Sequence, residues 1–190
     1  MLFRSGPDVL RGLNLTVRRG QRFAIVGETG GGKSTLVNLL LKFYAPRHGS
    51  ITLDGTDIAR LHRANVRRLV GLVSQNIYVF PGTIMENLKL MDSALPDSRV
   101  RAAIAEAGLE EFFARHPLDK EISEGGNNLS QGERQVLAIV RAMIAGPDII
   151  VLDEATSSID PYTERLIQNA LQRLFKNRTA IIIAHRLATI

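Results

Sequence analysis

The sequence predicts an α/β fold with a mostly parallel sheet, a small antiparallel β region at the N-terminus and an inserted helical subdomain. Short apolar strand patterns alternate with helical patterns, an order typical of parallel strands joined by right-handed crossovers. Strand signals vanish from Asn76 to about Asn128, where short helices are predicted instead. The chain has 190 residues, which is enough for one domain with a substantial hydrophobic core.

Composition narrows the class of protein. Apolar residues make up 45% and charged residues 23% of the chain, as in globular proteins and unlike disordered ones. No apolar run approaches the roughly 18 residues of a membrane-spanning helix, and no secretory signal opens the sequence. Cysteine is absent, which excludes disulfides and thiolate metal sites.

The N-terminal half alternates strand and helix signals. Leu13, Leu15 and Val17 alternate with polar residues, which predicts a half-exposed strand, and Gly20 then turns the chain. The next predicted elements are a buried strand over residues 22–26, a helix over 33–43, a strand over 50–53 with a tight turn at Asp54-Gly55, and a strand over 70–74 that ends at Gln75.

The rest of the chain carries clear start and stop signals. Helices are predicted over residues 83–88 and 97–107, and Gly108 stops the second. The elements that follow are a break at Gly146-Pro147, a buried parallel strand over 148–152, a helix with Asp160 as its N-cap and Pro161 at its first position, and a last apolar strand over 179–184.

A glycine-rich segment between the strand over residues 22–26 and the following helix fits the P-loop pattern. Its glycines let backbone N–H groups curl around phosphate oxygens without a Cβ in the way. Lys33 would supply a positive charge to the β- and γ-phosphates, and the Ser34 hydroxyl could bind Mg²⁺. The predicted nucleotide-binding residues are Gly27, Glu28, Thr29, Gly30, Gly31, Gly32, Lys33, Ser34 and Thr35.

Two carboxylates, Asp153 and Glu154, come directly after the apolar strand over residues 148–152. Ligands bind at the carboxyl ends of parallel strands in open α/β sheets. Beside a P-loop, Asp153 is expected to hold Mg²⁺ through water, and Glu154 to polarise the water that attacks the γ-phosphate. Together the two motifs predict a nucleoside-triphosphatase site.

Residues 129–135, LSQGERQ, lie between these motifs and are the most informative stretch of the chain. Ser130 and Glu133 have the spacing of a capping box, in which the hydroxyl caps the helix and the carboxylate reaches back to the cap N–H. Gly132 leaves the backbone bare, and a helix N-terminus favours an anion such as phosphate. Alone, the segment predicts only a capped helix.

In this order, the P-loop, residues 129–135 and Asp153-Glu154 resemble the motifs of ATP-binding-cassette (ABC) ATPases, with LSQGE in the place of the family signature. The resemblance implies that ATP and Mg²⁺ are bound, and that Ser130 and Gly132 close over ATP held by a second copy. It also implies a single ABC ATPase domain over residues 1–190, with a P-loop NTPase (RecA-like) core over 1–75 and 130–190 and the helical subdomain over 76–129.

The resemblance gives roles to three further sites. Gln75 would contact Mg²⁺ and the attacking water, and His185 would hydrogen-bond the γ-phosphate, so both join Glu154 as catalytic residues. The implied metal ligands are Ser34, Gln75 and Asp153. Residues 157–160 resemble the D-loop at the dimer seam, which adds Asp160 to the nucleotide-binding residues.

The finer resemblance is to ABC exporters. Residues 80–88 look like the exporter segment that follows the glutamine loop, and residues 121–126 look like the loop that contacts the membrane domain. The implied partners are a second nucleotide-binding domain, identical or different, and the transmembrane domain of an exporter. The implied location is the cytoplasmic face of the plasma or inner membrane, and no nucleic acid is expected.

The chain also departs from the family pattern. Gln131 and Glu133 stand where Gly and Gln are commonest, although Ser130 and Gly132 remain in place. Ser5 stands where exporters usually place an adenine-stacking aromatic, and Phe3 would face the other side of a strand. Because the chain begins inside the expected first strand and stops soon after His185, we expect a fragment of a transporter subunit, weakly active or inactive when isolated.

Three other functions fit parts of the sequence. A soluble ABC ATPase acting on nucleic acid or ribosomes is supported by 13 Lys/Arg against 6 Asp/Glu over residues 1–95, compared with 11 against 13 over 96–190. No aromatics interleave the basic cluster, so a solvated helix face is the favoured interpretation over nucleic acid or an anionic membrane. An importer cassette is disfavoured by residues 83–88 and 121–126, and a non-hydrolysing regulatory domain by Glu154 and His185. The densest basic cluster is Arg60, Arg63, Arg67 and Arg68.

Overall fold

A computed structural model describes residues 9–28, 30–74, 76–154 and 159–184, without the side chains of Glu154 and Ala184. The helices in these residues are α1 Lys33–Leu40, α2 Arg63–Leu69, α3 Ile84–Leu88, α4 Asp97–Ala107, α5 Glu110–Arg115, α6 Gln131–Ala145 and α7 Pro161–Leu174. The strands are β1 Arg22–Val26, β2 Thr52–Leu53, β3 Thr56–Asp57, β4 Val70–Val73, β5 Gly82–Thr83, β6 Glu121–Ile122, β7 Ile149–Glu154 and β8 Thr179–Ala184.

Four strands form one parallel sheet in the order β1-β8-β7-β4. The last of the described strands, β8, therefore lies between the strand that enters the P-loop and the strand that carries Asp153. The helices between successive strands of this sheet provide the crossovers that parallel strands require. This arrangement confirms the predicted α/β class with a mostly parallel sheet.

The two faces of the sheet bury separate apolar clusters. Along β7, Ile150 and Leu152 belong to the larger cluster and Val151 to the smaller one, because alternate residues of a strand point to opposite faces. The larger cluster is built with side chains of α3 to α7, and the smaller one with side chains of α1 and α2. Burial on both faces explains why β7 reads as a continuous apolar run.

Several helix ends fall where their local signals predict. The helix α4 has the predicted bounds and is followed by Gly108 at φ 69°, and α6 is followed by Gly146 at φ 58°. Both glycines adopt the left-handed conformation that commonly ends helices. Asp160 caps α7 with Pro161 at its first position, also as predicted. The helix α1 ends at Leu40, short of residue 43.

A small antiparallel pair, β2 and β3, lies in the N-terminal half, as the predicted fold class requires. Its turn is Asp54-Gly55, with φ of 45° and 78°. Two positive φ angles are the mark of the type I′ turn that suits a two-residue hairpin loop, and Asp-Gly is among the pairs that adopt it most readily. The tight-turn prediction is therefore confirmed.

Strand predictions were less accurate where the formation of a strand depends on pairing between segments that are distant in sequence. Residues 13–17 form no strand with any described residue, and Leu13 and Leu15 are exposed. Strands β5 and β6 pair within the region predicted to be helical only. The strand β1 was predicted to be buried but lies at the edge of the sheet, where Val26 is 47% exposed. Alternation shows which face a residue occupies, and gives no information on which segment pairs with it.

Candidate active site

The P-loop leaves β1, enters α1, and holds its own lysine in place. The Lys33 Nζ donates to the Gly27 carbonyl at 2.7 Å and to the Glu28 carbonyl at 2.8 Å. Lys33 is only 8% exposed, and no described carboxylate pairs with it. A largely buried ammonium that is bonded only to carbonyls keeps an unneutralised charge, which suits it to an anionic ligand.

Two glycines of this loop, Gly31 and Gly32, are required by its close packing, whereas a Cβ at Gly27 or Gly30 would meet no described atom within 4 Å. A Cβ at Gly32, whose φ is 87°, would lie 2.7 Å from Leu10 Cδ2 and 3.0 Å from Val9 Cγ1. A Cβ at Gly31 would lie 3.1 Å from the Glu28 carbonyl, to which the Gly31 N–H donates. The loop is therefore tightly closed on one side while its exposed residues, including Gly30, face solvent. Its shape fits the phosphate cradle that the sequence predicts.

The register of the sheet brings the two predicted halves of the site level with each other. Val26, which precedes the P-loop, is opposite Ala184 of β8, and Glu154 is opposite the same Ala184 from the other side. With about 4.8 Å between neighbouring strands, the backbones at Val26 and Glu154 are about 10 Å apart. Asp153 is aligned with Ile183. The P-loop and the two acidic residues therefore emerge at the same carboxyl edge.

Asp153 and Ser34 provide the oxygens that suit Mg²⁺. Ser34 is exposed in the first turn of α1, and Asp153 is half-buried in a small cleft. Within the described residues, no group of three acidic, histidine or cysteine side chains forms a metal cluster. One or two protein oxygens, completed by water and phosphate, are the usual protein share of a nucleotide-bound Mg²⁺. The cleft is also lined by Val73, Ser74, Ile77, Gln131, Gln135 and Leu152.

The predicted capping box at the start of α6 is present in full. The Glu133 N–H donates to Ser130 Oγ at 3.1 Å, and the Ser130 N–H donates to Glu133 Oε2 at 2.6 Å. Ser130 is exposed, so it can meet a ligand from outside the chain. Gly132 is buried, because α6 packs closely on Thr163 of α7. Its small size thus serves packing within the chain, and the bare backbone predicted at this position is not observed, because α7 covers it.

Asp160, predicted to bind nucleotide through its place in the D-loop, is an N-cap here. Its Oδ1 accepts the N–H groups of Tyr162 at 3.1 Å and Thr163 at 2.9 Å. Hydrogen bonds from the Thr163 side chain and backbone, followed by the bond from Tyr162, lower the pKa of the Asp160 carboxyl. The carboxylate therefore starts α7, and its contact with nucleotide stays a prediction.

Several predicted site residues lie outside the described residues. Among the catalytic predictions these are Gln75, His185 and the side chain of Glu154, whose backbone ends β7. In the P-loop, Thr29 lies outside as well. The remaining ones are residues 157–158 of the D-loop-like segment and Phe3 and Ser5 near the N-terminus.

Sequence reasoning missed a buried polar network that joins residues 78–87 to α6. Asn87 has no exposed surface, and its amide donates to the carbonyls of Phe80 at 2.9 Å and Thr83 at 3.0 Å. The Arg141 guanidinium donates to the Asn87 carbonyl at 2.9 Å, to Asn87 Oδ1 at 3.1 Å and to the Tyr78 carbonyl at 2.6 Å. Asn87 and Arg141 are 54 residues apart, and no local pattern links them.

The basic cluster lies away from these motifs in the sequence and is solvent-exposed. Arg60 ends a 3₁₀ turn, and the other three arginines lie on α2. The Arg67 guanidinium stands over the Phe43 ring at 4.6 Å from its centroid. The four exposed side chains are what a solvated helix face would show.

Comparison with known proteins gives one family. A family profile described as ABC transporter matches residues 10–157. The uncharacterized ABC transporter ATP-binding protein YfiC of Bacillus subtilis (strain 168) is 46% identical over 187 residues, which are 97% of this chain and 31% of that protein. The ATP-dependent lipid A-core flippase of Neisseria meningitidis serogroup A / serotype 4A (strain DSM 15465 / Z2491) is 44% identical over 187 residues. These residues are 97% of this chain and 30% of that protein.

A solved structure agrees with these relatives. The structure of a bacterial Atm1-family ABC exporter with ATP bound matches with a TM-score of 0.88 and 39% identity, covering 99% of this chain and 33% of that one. The chain thus spans about a third of the length of the proteins it resembles. None of the helices in the described ranges is long and apolar enough to cross a membrane.

Proposed function

We propose that this chain, which belongs to the ABC transporter family and is an ATPase domain of that family, drives a membrane exporter. The observation that carries the proposal is the match of almost the whole chain to ATP-binding parts of exporters, at 44% identity to a flippase and a TM-score of 0.88 to an exporter with ATP bound. The P-loop and the acidic strand end, which lie at one edge of the sheet, support the ATPase chemistry.

ATP would be bound at the loop between β1 and α1. Lys33, now bonded to two loop carbonyls, would turn its charge toward the β- and γ-phosphates. Ser34 and Asp153 would hold Mg²⁺, Asp153 through water. The ion would draw off the charge that develops on the phosphate oxygens.

Hydrolysis would need the residues at the strand ends. Glu154 would orient and deprotonate the attacking water, with Gln75 contacting this water and Mg²⁺ and His185 contacting the γ-phosphate. These three roles come from the family resemblance. The alignment of Glu154 with the start of the P-loop across β8 supports the first of them.

Two copies would then complete each other's sites. Ser130, exposed at the start of α6, would meet the ATP held by Lys33 and Ser34 of a second nucleotide-binding domain, identical or different, together with the backbone at Gly132. Closure of the pair would pull on a transmembrane domain through residues 80–88 and 121–126. The chain would then lie at the cytoplasmic face of the membrane.

The test is the Glu154→Gln variant. With ATP and Mg²⁺ we expect a dimer that persists, because closure is retained while hydrolysis falls at least about 100-fold without the general base. Light scattering after size exclusion and phosphate release measure the two quantities. The Lys33→Ala variant should stay monomeric in ATP. The Glu164→Gln variant, changed on the exposed face of α7, should dimerise and hydrolyse ATP as the unsubstituted chain does. A Glu154→Gln chain that is monomeric in ATP and hydrolyses normally would refute the mechanism.

A further inference from the structure

The described part of the chain contains two capping boxes of nearly the same geometry, and they differ in what surrounds the glutamate. At α3 the Thr83 N–H donates to Glu86 Oε2 at 2.7 Å, and the Glu86 N–H donates to Thr83 Oγ1 at 3.1 Å. The box formed by Ser130 and Glu133 at α6 has corresponding distances of 2.6 and 3.1 Å. In the described part of the chain Glu86 forms no ion pair, whereas Glu133 contacts the side chains of His116 and Lys120.

The two partners of Glu133 come from the segment between α5 and β6. His116 Nδ1 lies 2.9 Å from Glu133 Oε1, and Lys120 Nζ lies 3.4 Å from the same oxygen. The imidazole is stacked on the Phe112 ring, with the centroids 4.4 Å apart and the planes at 23°. His116 is thus held between an aromatic face and the carboxylate. In the described structure, His116 and Lys120 are the charged groups that face Glu133.

A carboxylate is the group that fits between these donors. Glu133 accepts the Ser130 N–H on one oxygen and the two side chains on the other. A glutamine here would turn its NH₂ group, which only donates, toward one of the two sets of donors. The arrangement accounts for a glutamate at the position where the signature commonly has glutamine.

The charge matters because Glu133 lies in the first turn of the helix proposed to meet phosphate. Burial would raise the pKa of the Glu133 carboxyl, but the hydrogen bonds from Ser130 and the charges of Lys120 and His116 outweigh it and hold the pKa below its ordinary value. The ionised carboxylate would repel phosphate, and its cationic neighbours offset that repulsion. Of lysine and histidine, histidine is the one that ordinarily loses its proton near neutral pH.

We propose that His116 and Lys120 are positioning residues for the Ser130 end of α6. Protonated His116 would strengthen the closure of this helix end on ATP held by a second copy. The inference rests on the proposed function, since it requires Ser130 to meet phosphate. Closure is therefore expected to weaken as the pH rises and the imidazole loses its charge.

The test measures ATP-dependent dimerisation in the Glu154→Gln chain with and without His116→Phe. Phenylalanine keeps a ring over Phe112 and removes the Nδ1 group. Analytical ultracentrifugation gives the dimer Kd at pH 6 and pH 8; we expect His116→Phe to raise it about three- to tenfold at pH 6 and at most about twofold at pH 8. The titration of ATP itself is common to both chains and cancels in the ratio.

The matched control is Glu86→Gln in the other capping box, which should change the Kd less than about twofold at both pH values, because no cation depends on Glu86. A Kd ratio for His116→Phe that is the same at pH 6 and pH 8 overturns the inference. So does a Glu86→Gln chain that matches the His116→Phe profile.

A second measurement needs no ATP. A ¹³C NMR titration of the Glu133 carboxyl should show its pKa rising in His116→Phe and rising again when Lys120→Met is added; an unchanged pKa also overturns the inference. Failure of the proposed function has a different signature. The parent Glu154→Gln chain would then stay monomeric in ATP at every pH while the NMR shifts are present, which overturns the closure step and leaves the contact confirmed.

Discussion

A Cβ at position 132 would lie 2.6 Å from Thr163 Cγ2 and 3.2 Å from Ile159 Cγ2. The first distance is shorter than real contacts allow, and it involves the methyl group of a β-branched side chain in a helix, which has little freedom to turn away. The glycine thus lets α6 and α7 approach each other at the point where the signature helix begins.

We expect Gly132→Ala to lower the free energy of unfolding by about 1–3 kcal/mol, because the added methyl overpacks this contact. Adding Thr163→Ser, which removes the opposing methyl, should restore much of the loss. Gly27→Ala is the matched control, since a Cβ there would have no atom within 4 Å. Urea denaturation without nucleotide measures the free energy of unfolding of Gly132→Ala, of its double variant with Thr163→Ser, and of Gly27→Ala. Equal destabilisation by Gly132→Ala with and without Thr163→Ser would contradict this explanation.

At the scale of single elements, local sequence signals were sufficient to predict helix boundaries that depend on a capping residue. The bounds of α4, the box at Ser130 and the start of α7 at Pro161 all depend on residues within one turn of each other. The pairing of Thr83 with Glu121 and the contact of His116 with Glu133 depend on segments far apart in sequence. No periodicity in one segment encodes such a partner, so these features of the site could not be predicted.

The cap of α7 allows a test at this scale. Asp160→Ala removes the acceptor of two backbone N–H groups and should lower Tm by about 2–4 °C, whereas Asp160→Asn should keep most of the cap. Thermal unfolding followed by circular dichroism measures the change.

This cap also makes a pH dependence predictable. The folded pKa of Asp160 is lowered, first by the hydrogen bonds from Thr163, so its ionised form stabilises the fold. That contribution is fully present above the unfolded pKa of about 3.9 and is lost as the pH falls through the lower folded value. The Tm difference between the parent chain and Asp160→Asn should therefore shrink below about pH 4; a constant difference would argue against the cap.

At the scale of the whole molecule, Arg141 joins residues 78–87 to α6 through three hydrogen bonds. We expect Arg141→Met to destabilise the fold by about 2–4 kcal/mol, because it removes three hydrogen bonds from one guanidinium, two of them to the fully buried Asn87. Hydrogen exchange should show the largest loss of protection in residues 78–91.

The matched control is Arg99→Met. Arg99 also donates to two carbonyls, those of Met143 and Ile144, but these belong to the last turn of α6 and not to residues 78–91. Its loss should reduce protection near residues 143–146 and leave residues 78–91 close to the parent chain. The same exchange pattern in both variants would show that Arg141 has no special role in holding residues 78–91 to α6.

The alignment of Val26 and Glu154 on the two sides of Ala184 has a consequence for the reliability of folding. Along β8, Ala180 faces the larger apolar cluster and Ile183 the smaller one. A slip of β8 by one residue would place Thr179 or Ile181 where Ala180 packs, which changes the volume and polarity that the larger cluster receives. A chain that misplaces the edge beside the P-loop by a single residue would therefore also mispack its core, so the alignment of Val26 with Glu154 and the packing of β8 depend on the same register.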